Sequence, residues 1–247
     1  MNRVSDLSLD AWSQSIAVRW KPTLEYFKNR FELLEEIKNS YGSGSFRVDG
    51  EEVGLRFNDD LHELALRPNG VEFHVWTPNF DTSLAKDVLS LVIDRLKVEG
   101  TATLICEIQH LAALDADYAE ARKSTVSRML PFVDESLMPT DWSLLADGES
   151  PDKAVRFQTE FGIVDEREIR ARISRRVGRV RSAERTLPSA WNELDLPAVA
   201  FFASTTASLQ KRTSADASDI WESWQRILHN VETFLADILM GITDGKR

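Results

Sequence analysis

The chain has 247 residues, 43% hydrophobic and 9% aromatic, with 30 Lys and Arg against 40 Asp and Glu for a net charge of −10. That composition excludes a disordered chain and, taken over the whole surface, disfavours nucleic acid or an anionic membrane as partner unless a local basic patch exists. A single cysteine, Cys106, excludes an internal disulfide framework and a thiolate zinc site and fits a reducing compartment. No apolar leader opens the chain and no apolar run is of bilayer length, so a cytoplasmic protein without membrane partners is expected.

Residues 14–20 alternate as a strand and run into Pro22 and Thr23, a helix start. Leu24, Phe27, Phe31, Leu34 and Ile37 recur at three and four and predict one amphipathic stripe. Short strands are predicted at Phe46–Val48, Val53–Phe57, Leu61–Leu66 and Val71–Trp76, separated by Asp49-Gly50, Asn58-Asp59-Asp60 and the hairpin signal Asn69-Gly70. A helix over Leu84–Val98, stopped by Gly100, closes this half. The second half begins with a strand at Thr101–Leu111 and a helix from Asp117, with Glu120 as capping partner, to about Leu130. Residues 131–153 carry three prolines and are predicted to be an irregular connection. Strands follow at Ala154–Val164, Glu168–Val180 and Ala198–Leu209, and a helix at Ile220–Met240 begins after Asp216 and Asp219. The order strand, helix, antiparallel strands, helix is thus stated twice. It predicts an α+β fold of two similar lobes, 1–100 and 101–247, packed as one unit.

Two features stand out as candidate interaction sites. Residues 166–185 hold eight arginines against three glutamates, a local charge of +5. As a strand this segment would set out Arg170 and Arg172, with Arg175, Arg176, Arg179 and Arg181 following, as a row suited to phosphate or carboxylate, and hence to nucleic acid or an acidic partner. The alternative is that the arginines neutralise the chain's own acidic surface, including Asp147, Glu149 and Asp152; no aromatic residue interleaves them to stack a base. On the last helix Trp221, Trp224, Leu228, Val231, Leu235 and Ile238 form a heptad seam of just under three heptads. It either packs on the helix's own sheet or pairs with a protein partner or a second protomer through the tryptophans.

Chemical motifs are sparse. His62, His74, His110 and His229 lack metal-ligand spacing, and no metal or cofactor is expected. His62-Glu63 beside Asp59-Asp60 can be drawn as an acid–base cluster, but the reading taken is a charged turn leading into a strand. Cys106 alternates with Leu104 and Ile108 on one strand face, as a small buried hydrophobe would. No nucleophile elbow or complete dinucleotide or phosphate loop is present, so an enzyme would need a dispersed site free of motifs.

The runs Gly50–Asp81 and Leu228–Arg247 resemble a sporadically distributed family of uncharacterised prokaryotic proteins of similar length. In that family a strand-turn-strand segment leads to a central helix, and a closing helix bears a His, a Phe and an Ile-Thr-Asp tail, matched here by His229, Phe234 and Ile242-Thr243-Asp244. The resemblance implies no established enzymatic activity and a mobile-element or anti-phage setting. Together these features lead to the expectation of a non-enzymatic interaction protein, with a nucleic-acid-binding subunit or a motif-free enzyme as alternatives.

Overall fold

A computed structural model describes residues 8–42, 44–57, 62–76, 82–131, 143–172 and 195–244. In the first half β1 (Asp10–Arg19) leads to α1 (Leu24–Tyr41), the strands β2 (Phe46–Asp49), β3 (Glu52–Arg56), β4 (His62–Arg67) and β5 (Gly70–Val75), and α2 (Thr82–Arg95). The second half comprises β6 (Thr101–Ala113), α3 (Tyr118–Met129), β7 (Leu144–Glu149), β8 (Val155–Asp165), a helical segment α4 at 166–172, β9 (Val199–Leu209), β10 (Thr213–Ser214) and α5 (Ala217–Asp244). The architecture is α+β, and among the described residues no helix is long and apolar enough to cross a membrane.

Among the described residues ten strands join one antiparallel sheet in the order β2-β3-β4-β5-β1-β6-β9-β8-β7, with β10 pairing the start of β6. Each meander returns to the strand that opened it: β5 pairs β1, β9 pairs β6, and β1 pairs β6 in the middle. The glycine of the Asn69-Gly70 turn permits the first return, since a Cβ on Gly70 would stand 2.5 Å from the Val18 carbonyl oxygen.

The helices α1, α2, α5 and α3 lie side by side on one face. Alternation therefore sends one set of strand residues into the core, among them Val18, Leu64, Phe73, Leu104, Ile108, Phe157 and Phe201, and the other set to the opposite face. One core cluster runs through both halves, so they share a sheet and a hydrophobic interior.

Three local expectations are corrected. α1 buries Tyr26, Leu33, Leu34 and Ile37, leaving Leu24, Phe27 and Phe31 of the predicted stripe on its outer flank. The Tyr26 hydroxyl decides the rotation, donating to the Leu66 carbonyl at 3.0 Å and to that of Glu51. Residues 168–172, predicted as the start of a strand, are helical, because Glu166 pairs Arg170 and Glu168 pairs Arg172 one helical turn apart while the Asp165 carboxylate accepts the Glu168 N–H at 2.7 Å. Within the predicted irregular connection lies β7, whose turn-forming Asp147 and Gly148 are held extended by pairing with Gln158 and Phe157 of β8. Residues 132–142 of that connection lie outside the described residues.

Asp117 caps α3 as expected, its carboxylate accepting the N–H groups of Ala119 and Glu120. Asp216 does the same for α5 through Ser218 and Asp219.

Candidate functional site

The α5 seam is occupied within the chain. Trp224, Val231 and Leu235 are fully buried, together with Ile220, Ile227, Leu239 and Ile242, while Trp221, Leu228 and Ile238 flank them partly buried against the same core. Trp221 and Trp224 meet edge-to-face at 4.6 Å and line, with Ile16, Val18, Leu64, Val71, Phe73, Ala85 and Val88, a cavity of about 10 Å³, too small for a ligand. The seam thus lies on the helix's own sheet and on α2.

The two described members of the arginine row are paired within the chain. Arg170 pairs with Glu166 at 2.9 Å; Arg172 pairs with Glu160 and Glu168, each at 2.7 Å, and covers the Phe202 ring. Both arginines are thus engaged by glutamates of β8 and α4. Arg175, Arg176, Arg179 and Arg181 lie outside the described residues. Of the acidic residues expected to meet them, Asp147 accepts from Gln158, Glu149 from Gln210, and Asp152 pairs with Arg226.

Strand alternation separates the residues of the proposed acid–base cluster. His62 points into the helix-covered core against Phe57 and Phe73, whereas Glu63 faces the opposite side beside Arg47. Asp59 and Asp60 lie outside the described residues. Cys106 is fully buried, and burial pushes its thiol far above the ordinary range, so no thiolate nucleophile forms there. His229 stands exposed on α5. Among the described residues no three His, Cys, Asp or Glu side chains converge as metal ligands.

On the face away from the helices an ion-pair ladder crosses β2 to β1. Glu52 is held by Arg47 and by Arg67 at 2.5 Å, and Glu72 by Arg67 at 2.8 Å and Arg19 at 3.3 Å. Burial by itself would raise the Glu72 carboxyl, but His74 and then Arg67 outweigh it and hold the group well below the usual carboxylate range. His74 stands 3.3 Å from Glu72 and stacks on Trp76. It is the described histidine with a carboxylate at contact distance, yet with 3% of its surface accessible it leaves no room for a substrate.

At the β2 end of the sheet the surface is apolar instead. Leu24, Phe27 and Phe31 on α1 are 77%, 49% and 52% exposed, and Phe46 and Val48 on β2 are 41% and 60% exposed. Lys38 lies over the Phe46 ring and Arg30 over Phe31, so the α1 flank and the strand form one patch. Among the described residues β2 pairs only with β3. The chain matches no protein-family model and no curated protein sequence at a significant level. The patch itself therefore carries the functional argument.

Sequence reasoning missed this surface, although a signal was present. α1 carries Leu24, Tyr26, Phe27, Phe31, Leu33, Leu34 and Ile37, more apolar positions than one helix face can bury on a sheet.

A second cluster lies at the turns joining β7 to β8 and β9 to β10. There a cleft of 520 Å³ is lined by Lys153, Lys211, Arg212 and Arg226 with Gln210, Thr213 and Ser223. Asp152 pairs with Arg226, while no carboxylate partner of Lys153, Lys211 or Arg212 stands among the described residues.

Proposed function

We propose that the chain is a non-enzymatic interaction protein that binds a protein surface, or a copy of itself, through the α1–β2 end of its sheet. The carrying observation is the contiguous exposure of Phe27, Phe31, Phe46 and Val48 beside a terminal strand, while the apolar face of α5 and the helix-covered face of the sheet are packed. The closed surroundings of His74 and Cys106 support a binding role over a catalytic one. The common return of β5 to β1 and of β9 to β6 supports an origin of the two halves by internal duplication. An anti-phage or mobile-element setting remains part of this proposal and rests on the family resemblance alone.

The test is chemical crosslinking in host lysate with the wild-type chain and with Phe27→Ser/Phe31→Ser. Both side chains are half-exposed, so the variant is expected to fold and to lose the crosslinked protein species that the wild type forms. Identical species from both chains would overturn the proposal.

A second reading, nucleic-acid binding, is favoured by the basic cleft rather than by Arg170 and Arg172. It expects a labelled single-stranded oligonucleotide to bind at low salt with an affinity falling steeply as salt rises, and Lys211→Glu/Arg212→Glu to abolish that binding. Fluorescence anisotropy that stays flat for the wild type would dismiss it.

A further inference from the structure

The β2 edge is self-complementary, and we infer that it pairs antiparallel with β2 of a second copy of this chain, about a twofold axis at Val48, continuing the sheet across two chains and enclosing Phe27 and Phe31 of both copies. This inference rests on the proposed interaction role and names its occupant.

Backbone geometry supplies the first argument. The β2–β3 hairpin has a two-residue loop, Gly50 and Glu51, closed by the pair Asp49 and Glu52, with Gly50 at φ +60°. In such a hairpin the closing pair is hydrogen-bonded and every second residue from it repeats the pattern. The Arg56 N–H accordingly donates to the Ser45 carbonyl at 3.0 Å. Ser45, Arg47 and Asp49 therefore direct their amide and carbonyl groups at β3, while those of Phe46 and Val48 point outward from the edge. An added strand must be bonded by Phe46 and Val48, and a twofold axis at a Val48–Val48 pair meets that condition.

Side chains favour the same register. With Val48 opposite its own copy, Arg47 of each chain stands opposite Asp49 of the other, giving two opposite-charge cross-strand pairs on the face away from the helices. Phe46 falls opposite Gly50, which leaves space for its ring. Moving the axis to Arg47 would oppose two guanidinium groups and would use amides already turned toward β3.

On the helix side, α2 lies along one flank of α1, where Asn29 donates to the Arg95 carbonyl and Arg95 pairs with Glu36 at 2.7 Å. Phe27 and Phe31 occupy the opposite flank, above the β2 edge, where Lys38 reaches Phe46. A twofold axis at Val48 brings two such flanks together on the same side of the joined sheet. The other terminal strand, β7, lacks this complementarity. It carries Asp147 and Glu149 and no cation, so it has no opposite-charge pair to offer a second copy.

Sedimentation velocity and light scattering on the full chain test the inference. The wild type is expected to show twice the chain mass at micromolar concentration. Val48→Pro removes an edge N–H that makes no bond to β3 and bars an added strand. It should give the single-chain mass with an unchanged far-ultraviolet spectrum and melting midpoint. Asp49→Arg, which sets arginine against arginine across the axis, should weaken self-association about tenfold or more.

A wild-type chain that remains single up to about 100 µM would overturn self-pairing. So would a dimer that persists in Val48→Pro. Either result leaves the interaction role to the separate crosslinking comparison of the Phe27 and Phe31 variant.

Discussion

Replacement of Trp224 by alanine is expected to lower the unfolding free energy by about 3–5 kcal/mol, the cost of removing a large ring from a site that cannot collapse around the gap. Trp224 is 1% exposed and stands among Ile16 and Val18 of β1, Leu64 of β4, Val71 and Phe73 of β5 and Ala85 and Val88 of α2. Those neighbours all belong to the first half of the chain, whereas Trp224 belongs to its last helix. The variant should therefore melt in one transition, with tryptophan fluorescence and far-ultraviolet signal coinciding, because one shared core holds both halves. Phe31→Ser, at a position 52% exposed, should shift the same transition by less than about 1 kcal/mol. Urea titrations of the two variants check both expectations. A Trp224→Ala chain with the wild-type midpoint would show the seam to be surface, available to a partner after all.

The second large effect is acid lability through His110. Its ring is fully buried on the strand face of Ile108 and Ala112, and among the described residues neither ring nitrogen has a hydrogen-bond partner. Burial lowers its pKa to about 4, against a smaller opposing pull from the Asp10 carboxylate. Between pH 6.5 and 4 the unfolded chain therefore takes up a proton that the folded chain refuses. Stability must fall as the pH drops through that window, by about 3 kcal/mol in all from this one residue. His110→Leu should abolish that portion of the pH dependence. It should also raise stability at pH 7 by about 1–2 kcal/mol, since an unpaired polar ring gives way to an apolar side chain of similar size.

Glu72 acts in a different window. Its lowered carboxyl contributes stability above its unfolded pKa, near 4.5, and loses that contribution only as the pH falls further. Denaturant midpoints measured from pH 7 to 4 on wild type and His110→Leu isolate His110 by difference, because Glu232, whose carboxyl pKa is raised by burial, contributes equally to both chains. A slope shared equally by wild type and His110→Leu would mean that the ring finds a proton-accepting partner in the folded protein.

Much of the architecture was legible in the residues. The Asn69-Gly70 hairpin, the capping aspartates Asp117 and Asp216, and the strand-helix-meander order all depend on neighbours within a few positions, where local propensity and hydrogen bonding decide. Residues 168–172 read as strand because isoleucine and arginine alternate there, while the Glu–Arg pairs that favour a helix act at a spacing of four. β7 was hidden because Asp147 and Gly148 resemble a turn until β8 supplies the pairing. The arginine row and the tryptophan seam are concentrations of charge and of apolar side chains that spacing alone makes visible. Whether such a concentration faces inward or outward is not a property of spacing.

The sequence by itself determined the strands and turns of the first antiparallel meander, the capped starts of α3 and α5 and the acidic balance of the chain, because turn chemistry and period-two alternation act locally. The tertiary structure alone decided which apolar stripe became core and which stayed at the surface. α5 has the sheet beneath it, so Trp224, Val231 and Leu235 are consumed by packing. α1 is held by the Tyr26 hydroxyl on the carbonyls of Glu51 in the β2–β3 turn and Leu66 in β4, which leaves Phe27 and Phe31 beside the terminal strand. Both outcomes depend on contacts between residues far apart in the chain, and no local pattern encodes which neighbour a helix face will meet.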